Sequence, residues 1–158
     1  ELFKFLSQFR NFQAPTDFID EILKRAKRTK SEADFIRYRF NQFLNQIEKG
    51  TLKEAYVTLV TGIMELLGVW AIVKNNSLDE WKDKIKVTID NKNNKISHNE
   101  IRASIVHSTP KKKKIMDKPE ELKKDLQRKR EILRTFRADP FTPIKVILEK
   151  AANHYGLK

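Results

Sequence analysis

Residues 56 to 70 read Tyr56-Val-Thr-Leu-Val-Thr-Gly-Ile-Met-Glu-Leu-Leu-Gly-Val-Trp70, and as a helix this stretch is apolar nearly all round. A helix that is apolar on every side is normally buried among other elements. Thr51 and Glu54, just before it, have the spacing of a capping box, in which each side chain accepts a hydrogen bond from the backbone N–H of the other residue. The stretch therefore predicts a central helix from about Thr51 to Lys74, whose two glycines let neighbouring elements approach closely.

Amphipathic stretches lie on both sides of this central helix. Apolar residues recur there at helical spacing, and caps and breaks delimit helices at about residues 2–11, from 16 onward, and at 31–49, 98–109, 119–138 and 142–156. Residues 84–90 alternate with period two and an Asn-rich run follows them, so the stretch at 84–96 fits a small hairpin, although we favour a loop. The sequence therefore predicts an all-α fold, a compact bundle of about six to seven helices.

The charge balance of the chain indicates a polyanionic partner. Its 158 residues include 33 Lys and Arg against 21 Asp and Glu, which gives a net charge of +12 and a pI near 9.9. A charge of this size attracts polyphosphate and makes the resulting binding dependent on salt. We therefore expect RNA as the partner, with DNA also open.

The composition argues against several other classes of protein. Because there is no cysteine and the three histidines are widely separated, a disulfide framework and a thiolate zinc site are excluded, and we expect no metal ion and no cofactor. No run of about 18 apolar residues is present, so we expect no membrane partner and a cytoplasmic location. Because residue 1 is Glu, we expect residues 1–158 to be a single helical domain taken from a larger protein.

The positive charge is concentrated in one segment. Residues 111–137 carry twelve basic and five acidic side chains, and so more than half of the net charge of +12. Such a segment is typical of a phosphate-binding face, although its acids could also pair with the bases on a solvated helix. The predicted inner stripe of the helix at 119–138 is Leu122, Leu126, Leu133 and Phe136. The candidate substrate-binding residues of the segment are Lys111, Lys112, Lys113, Lys114, Arg128, Lys129 and Arg130.

A second candidate group lies just before this segment. Ser97 and Glu100 form another capping box, and the helix that they begin carries an arginine and a histidine five residues apart, Arg102 and His107. Their long side chains can converge at the C-terminal end of the helix, which Pro110 terminates. Histidine can accept the proton of a ribose 2′-hydroxyl or donate one to the leaving 5′-oxygen, and arginine can neutralise the phosphate. The pair could therefore cleave RNA without a metal ion.

This stretch resembles the Arg-x4-His signature of the HEPN superfamily of helical ribonucleases. The resemblance rests on Arg102, His107 and the apolar spacers between them, and in architecture it extends over about residues 31–137. The family usually has a polar residue directly after its arginine, where this chain has Ala103, and Ser104 is the candidate substitute. His98, near the start of the same helix, is a candidate for a secondary contact with RNA.

The resemblance implies a metal-independent endoribonuclease that leaves 2′,3′-cyclic phosphate ends, with Arg102 and His107 as its catalytic residues. It also implies a homodimer with a composite active site, and a toxin or an antiviral effector with a missing sensor domain or an inhibitory partner. Two other functions stay open: a non-catalytic nucleic-acid-binding subunit of a ribonucleoprotein or defence complex, and a protein interaction module. Large apolar residues outside the main stripes, which a dimer interface could cover, are Phe3, Phe12, Val69 and Val73.

Overall fold

The computed structural model describes residues 1–85, 95–106 and 119–157. Over these residues the chain forms eight α-helices, a π-helical segment and a 3-10 helix, without a β-strand, so the prediction of an all-α fold is confirmed. The α-helices are α1 (Leu2–Leu6), α2 (Thr16–Ala26), α3 (Lys30–Lys49), α4 (Leu52–Leu59), α5 (Val69–Val73), α6 (His98–Val106), α7 (Pro119–Ala138) and α8 (Phe141–His154). The π-helical segment is Val60–Met64, and the 3-10 helix is Asp79–Trp81.

The stretch predicted as a hairpin or a loop, residues 84–96, lies mostly outside the described residues. Beside it, an isolated antiparallel β-bridge pairs Ser77 with Ser97. Within that bridge the backbone N–H of Leu78 donates to the carbonyl of Ile96 at 2.8 Å. The bridge therefore ties the residues before the 3-10 helix to the start of α6.

The helices divide into two units, each with buried apolar side chains of its own. Unit 1 comprises residues 1–73 and 144–158, and unit 2 comprises residues 74–143. The expectation of one domain over residues 1–158 stays a prediction.

A row of aromatic rings forms the centre of unit 1. The ring of Phe18 in α2 lies 6.0 Å from that of Phe9 and 6.2 Å from that of Phe40 in α3. Phe43 continues the row at 5.7 Å from Phe40. Burying a side chain of this size contributes about 1.5–3 kcal/mol, and the rings of Phe18, Phe40 and Phe43 are fully buried. The row therefore holds α2 against α3.

The apolar stretch at residues 56–70 is not the continuous helix that its composition predicts. After α4 the chain makes a π-helical turn, in which the N–H of Glu65 donates to the carbonyl of Val60 at 3.0 Å. Gly68 then adopts a left-handed conformation with φ +78°, which costs other residues about 1–2 kcal/mol. Helix α5 begins at the next residue. The apolar pattern predicts burial correctly but not the break in the helix. Because the segments before and after the break are both buried, the pattern is the same as for one continuous buried helix.

The end of the broken helix leaves a carbonyl that side chains of unit 1 satisfy. The Leu67 oxygen accepts hydrogen bonds from Arg28 Nη2 at 3.1 Å and from the Tyr155 hydroxyl at 3.0 Å. Arg25 Nη1 donates in turn to the carbonyls of Tyr155 and Gly156, at 2.9 and 3.0 Å. An unsatisfied buried carbonyl costs about 1–3 kcal/mol. These contacts therefore stabilise the break and also hold the end of α8.

The two glycines of this stretch have different roles. At Gly62 an added Cβ would lie 3.3 Å from Arg39 Cδ, so the predicted close approach of a neighbour is confirmed there. At Gly68 nothing lies within 4 Å of the Cβ position. Gly68 is therefore required for its backbone conformation and not for space.

One of the predicted capping boxes is confirmed and another is wrong. Ser97 Oγ accepts from the N–H of Glu100 at 3.1 Å, and a Glu100 carboxylate oxygen lies 3.5 Å from the N–H of Ser97. Thr51 makes no capping contact to α4. Its hydroxyl instead donates at 3.2 Å to the Gln46 carbonyl, which also accepts from the Thr51 backbone N–H at 3.0 Å at the end of α3.

Unit 2 is built from the 3-10 helix, α6 and α7. Trp81, Ile101 and Phe136, one from each element, are fully buried. The buried residues of α7 are Ile132, Thr135 and Phe136, whereas the leucines of the predicted stripe, Leu122, Leu126 and Leu133, are half-buried. The inner face of α7 is therefore rotated by about a quarter turn from the prediction.

Two residues that the sequence offered for a dimer interface are buried within unit 1. Val69 and Val73 have 1% and 3% of their surface exposed. The prediction placed them off the inner stripe because it assumed one continuous helix, and Gly68 reorients the segment that carries them. Phe3 is 37% exposed and is the better candidate for an uncovered apolar residue.

Replacing Gly68 with Ala is expected to lower the free energy of unfolding by about 1 kcal/mol, because φ +78° is strained for a residue with a Cβ. Gly68→Asn should cost less, since Asn tolerates this region better. Urea unfolding of the full chain measures both values. Equal stability of all three proteins would contradict the conformational role given to Gly68.

Candidate nucleic-acid interface

An ion pair joins α6 to α7 in unit 2. Glu100 Oε2 accepts from Arg128 Nε at 2.5 Å, and Glu100 Oε1 accepts from Arg128 Nη2 at 3.1 Å. Arg128 Nη2 also donates to the carbonyl of Lys95 at 3.1 Å. Because only 13% of the Arg128 side chain is exposed, water competes weakly with this two-point contact. We call this contact between Glu100 and Arg128 the α6–α7 clasp.

Helix α6 carries both the glutamate of the clasp and the predicted catalytic arginine. Arg102 follows Glu100 by two residues on α6 and is half-buried. The predicted partner, His107, comes directly after the last described residue of α6, Val106, and lies outside the described residues. The same holds for the four predicted lysines, Lys111, Lys112, Lys113 and Lys114. The assignment of these five residues therefore stays a prediction from the sequence.

Two of the predicted substrate contacts are buried. His98 has 0% of its surface exposed, and Ser104 has 2%. Ser104 Oγ donates to the carbonyl of Glu100 at 2.8 Å, one turn back along the same helix. Neither side chain presents a surface to RNA, and Ser104 does not supply the polar group that Ala103 lacks. The reason is that both residues lie on the inner face of α6 beside Ile101.

The three basic residues predicted at the middle of α7 differ in their surroundings. Arg128 points to α6 through the clasp. Lys129 pairs with Asp125 on α7 at 3.4 Å, and 18% of its side chain is exposed. Arg130 is exposed to solvent. Within unit 2, Arg130 is therefore the member of this trio that an external phosphate can reach most easily.

The outer side of α7 carries Arg130 together with three basic residues that were not among the candidate contacts. Lys123, Arg130, Arg134 and Arg137 are all exposed. At about 100° per residue, these four positions fall within roughly 80° of one another around the helix axis. A helical projection centred on Ile132 and Phe136 would have found them, but the predicted stripe was centred on the leucines. We call these four side chains the basic row.

A half-buried carboxylate joins the C-terminal end of α7 to the 3-10 helix and the residues just after it. Asp139 Oδ2 accepts from Lys84 Nζ at 2.6 Å and from Trp81 Nε1 at 3.2 Å. Burial of this carboxyl raises its pKa, but hydrogen bonds from Lys84, Thr142 and Trp81 outweigh that effect and hold the pKa below its usual range. Asp139 therefore stabilises unit 2 as an anion.

Two other kinds of feature are missing from the described residues. Among them no group of three or more His, Asp or Glu side chains is arranged to hold a metal ion. In the same parts of the chain, no helix is both long and apolar enough to cross a membrane. Comparison with protein-family models, with curated proteins and with solved structures finds no match to this chain.

Replacing Arg128 with Met is expected to lower the free energy of unfolding of unit 2 by about 1–3 kcal/mol, because it leaves Glu100 without its two-point partner. The control Arg130→Met should change it by less than about 0.5 kcal/mol, since Arg130 is exposed. Trp81 fluorescence during urea unfolding, in a Trp70→Phe background, reports on unit 2. Similar losses in both variants would contradict the role given to the clasp.

Acid should destabilise unit 2 through Asp139. Its lowered pKa contributes stability that is complete above the unfolded-state value of about 4 and is lost as the pH falls through the folded-state value. Asp139→Asn should therefore be less stable than the wild type at pH 7 and show a flatter loss of stability between about pH 5 and 2. Urea midpoints at each pH measure this, with the exposed Asp83→Asn as the control. Parallel curves for wild type and Asp139→Asn would contradict it.

Proposed function

We propose that this chain is an RNA-binding protein and that it contacts the phosphate backbone through unit 2. The observation that carries the proposal is the exposed basic row of α7, on a helix that the clasp attaches to the helix of Arg102. Phosphate contacts supply most of the affinity in sequence-independent binding, and arginine and lysine are the side chains that make them. The net charge of +12 acts in the same direction.

We further propose, as a second function, that Arg102 and His107 cleave the bound RNA without a metal ion. The half-buried position of Arg102 on α6 favours this, because a partly buried guanidinium has less conformational freedom to lose when it meets a phosphate. The burial of Ser104 favours the alternative, a non-catalytic binding subunit, since Arg102 then acts without a polar neighbour in the position of Ala103.

The proposed reaction is an internal transfer at phosphorus. The ribose 2′-oxygen loses its proton to His107 and forms a bond to phosphorus, and the bond from phosphorus to the 5′-oxygen breaks. The 5′-oxygen takes up a proton from water as it leaves, His107 then returns its own proton to water, and Arg102 neutralises the charge on the pentacoordinate phosphate. The products are a 2′,3′-cyclic phosphate and a 5′-hydroxyl, and no oxidant or other co-reactant is consumed.

Further parts of the proposal come from the family resemblance. They are a homodimer with a composite active site, a cytoplasmic toxin or antiviral effector, and control by an inhibitory partner or a sensor domain. A composite site predicts that mixing Arg102→Ala chains with His107→Ala chains recovers part of the activity. The reason is that a dimer of one chain of each kind would still contain one intact Arg102 and one intact His107. Sedimentation of the same samples measures whether dimers form.

Cleavage is tested by incubating the full chain with a labelled single-stranded RNA in EDTA and mapping the product ends. His107→Ala and Arg102→Ala should each lower the rate by about 100-fold or more, because each removes a group that acts in the transition state. RNA affinity should remain within about threefold of the wild type in His107→Ala, since the basic row is unchanged. The control is Lys53→Ala, an exposed residue of unit 1.

The outcomes separate the proposed functions. Cyclic phosphate ends that disappear in both variants and persist in Lys53→Ala support cleavage. A folded wild type that binds RNA in a salt-dependent manner but leaves it intact identifies a non-catalytic binding subunit. Binding of DNA in strong preference to RNA would contradict the RNA assignment itself.

A further inference from the structure

The basic row is a straight line of charge on the outer side of α7. Lys123, Arg130, Arg134 and Arg137 lie within a span of fifteen residues, and the first and last are about 21 Å apart along the helix axis. The opposite side of the helix carries the buried Ile132 and Phe136. The row therefore faces away from the core of unit 2 and runs along most of an exposed helix.

The sector of α7 that holds the row contains no acidic side chain. Its remaining member in the middle of the helix is Gln127, and the four acids of α7 lie at other angles around the axis. Arg134 pairs with Glu131, which raises the pKa of Arg134. The other three basic side chains have no ion pair among the described residues. Most of the charge of the row is therefore open to a partner.

Unit 2 lacks the side chains that single-stranded RNA needs. Proteins that bind single strands stack the bases on exposed aromatic rings. The aromatic residues of segment 74–143 are Trp81, Phe136 and Phe141, of which the first two are fully buried and the third is half-buried. A partner of this surface is therefore recognised through its phosphates and not through its bases.

We propose that the basic row binds the phosphate backbone of an RNA double helix, without reading its sequence. In a duplex the phosphates form a regular line of charge along a stiff backbone, so binding to a line of cations on one helix orders the nucleic acid less than binding of a flexible single strand would. Proteins recognise double-stranded RNA mainly by such backbone contacts and by its shape. The inference rests on the proposed RNA partner and adds the kind of RNA and the surface that holds it.

The test compares three forms of the full chain in EDTA. The first is the wild type, and the second is the row variant Lys123→Gln/Arg130→Gln/Arg137→Gln, in which Gln preserves helix propensity. The third is a control that loses the same charge from exposed positions of unit 1, Lys30→Gln/Lys49→Gln/Lys53→Gln. Fluorescence anisotropy gives the Kd at several salt concentrations for an RNA duplex of about 20 base pairs, long enough for the row to lie along it, and circular dichroism checks that each form is folded.

The row variant should bind the duplex about tenfold or more weakly than the control. The slope of its log affinity against log salt concentration should be less steep by up to about three, which is about one for each phosphate that the variant no longer neutralises. The wild type should prefer the duplex over a single strand of the same length, and duplexes of unrelated sequence should bind equally. Competition by a DNA duplex and by anionic phospholipid vesicles should be weaker than by the RNA duplex.

Equal duplex affinity and salt dependence in the row variant and the control would overturn the inference. A preference for the single strand, for DNA or for the vesicles would overturn it as well. The cleavage assay on single-stranded RNA keeps the two proposals apart. Loss of cleavage in Arg102→Ala, with duplex binding independent of the row, would retain the ribonuclease and reject the duplex surface, and the reverse pattern would do the opposite.

Discussion

The two-point contact between Arg128 and Glu100 determines how unit 2 presents its charge. It turns Arg128 toward α6 and so fixes the rotation of α7 about its own axis, with Ile132 and Phe136 inside and the basic row outside. The same carboxylate completes the cap at Ser97. The Glu100 side chain therefore both caps the start of α6 and holds α7. As a result, the position of the helix that carries Arg102 is coupled to the orientation of the basic row.

Arginine has two distinct uses in this chain. Arg25 and Arg28 donate to carbonyls at the ends of helices in unit 1, and Arg128 donates to a carboxylate and a carbonyl in unit 2. These side chains satisfy acceptors that would otherwise be costly to bury. The net charge of +12 therefore overstates the charge that a nucleic acid can reach. The positive charge that is accessible to a partner comes from the smaller number of arginines that project into solvent, such as Arg130 and Arg137.

The candidate site could be predicted from the sequence only in part. The basic segment, the cap at Ser97 and the helix of Arg102 follow from spacing and residue type, because those features are local. The pattern did not distinguish the basic residues by exposure: the side chains of Arg128 and Lys129 are 13% and 18% exposed, whereas Lys123, Arg130, Arg134 and Arg137 are all exposed. His98 and Ser104 were chosen for their chemistry, which carries no information about burial. Arg102 and His107 keep the roles that the family resemblance proposes for them.

The sequence by itself determined the all-α class, the buried apolar stretch and most helix ends, because apolar period, caps and breakers act over a few residues. Gly50 ends α3 in a left-handed conformation, which is the common way for a glycine to end a helix. Only the tertiary structure decided where the central helix breaks and which side of α7 faces inward. Those features depend on partners distant in the sequence, such as Tyr155 at the Leu67 carbonyl and Arg128 at Glu100. A local pattern can show that a residue needs a partner, but packing alone chooses which one it meets.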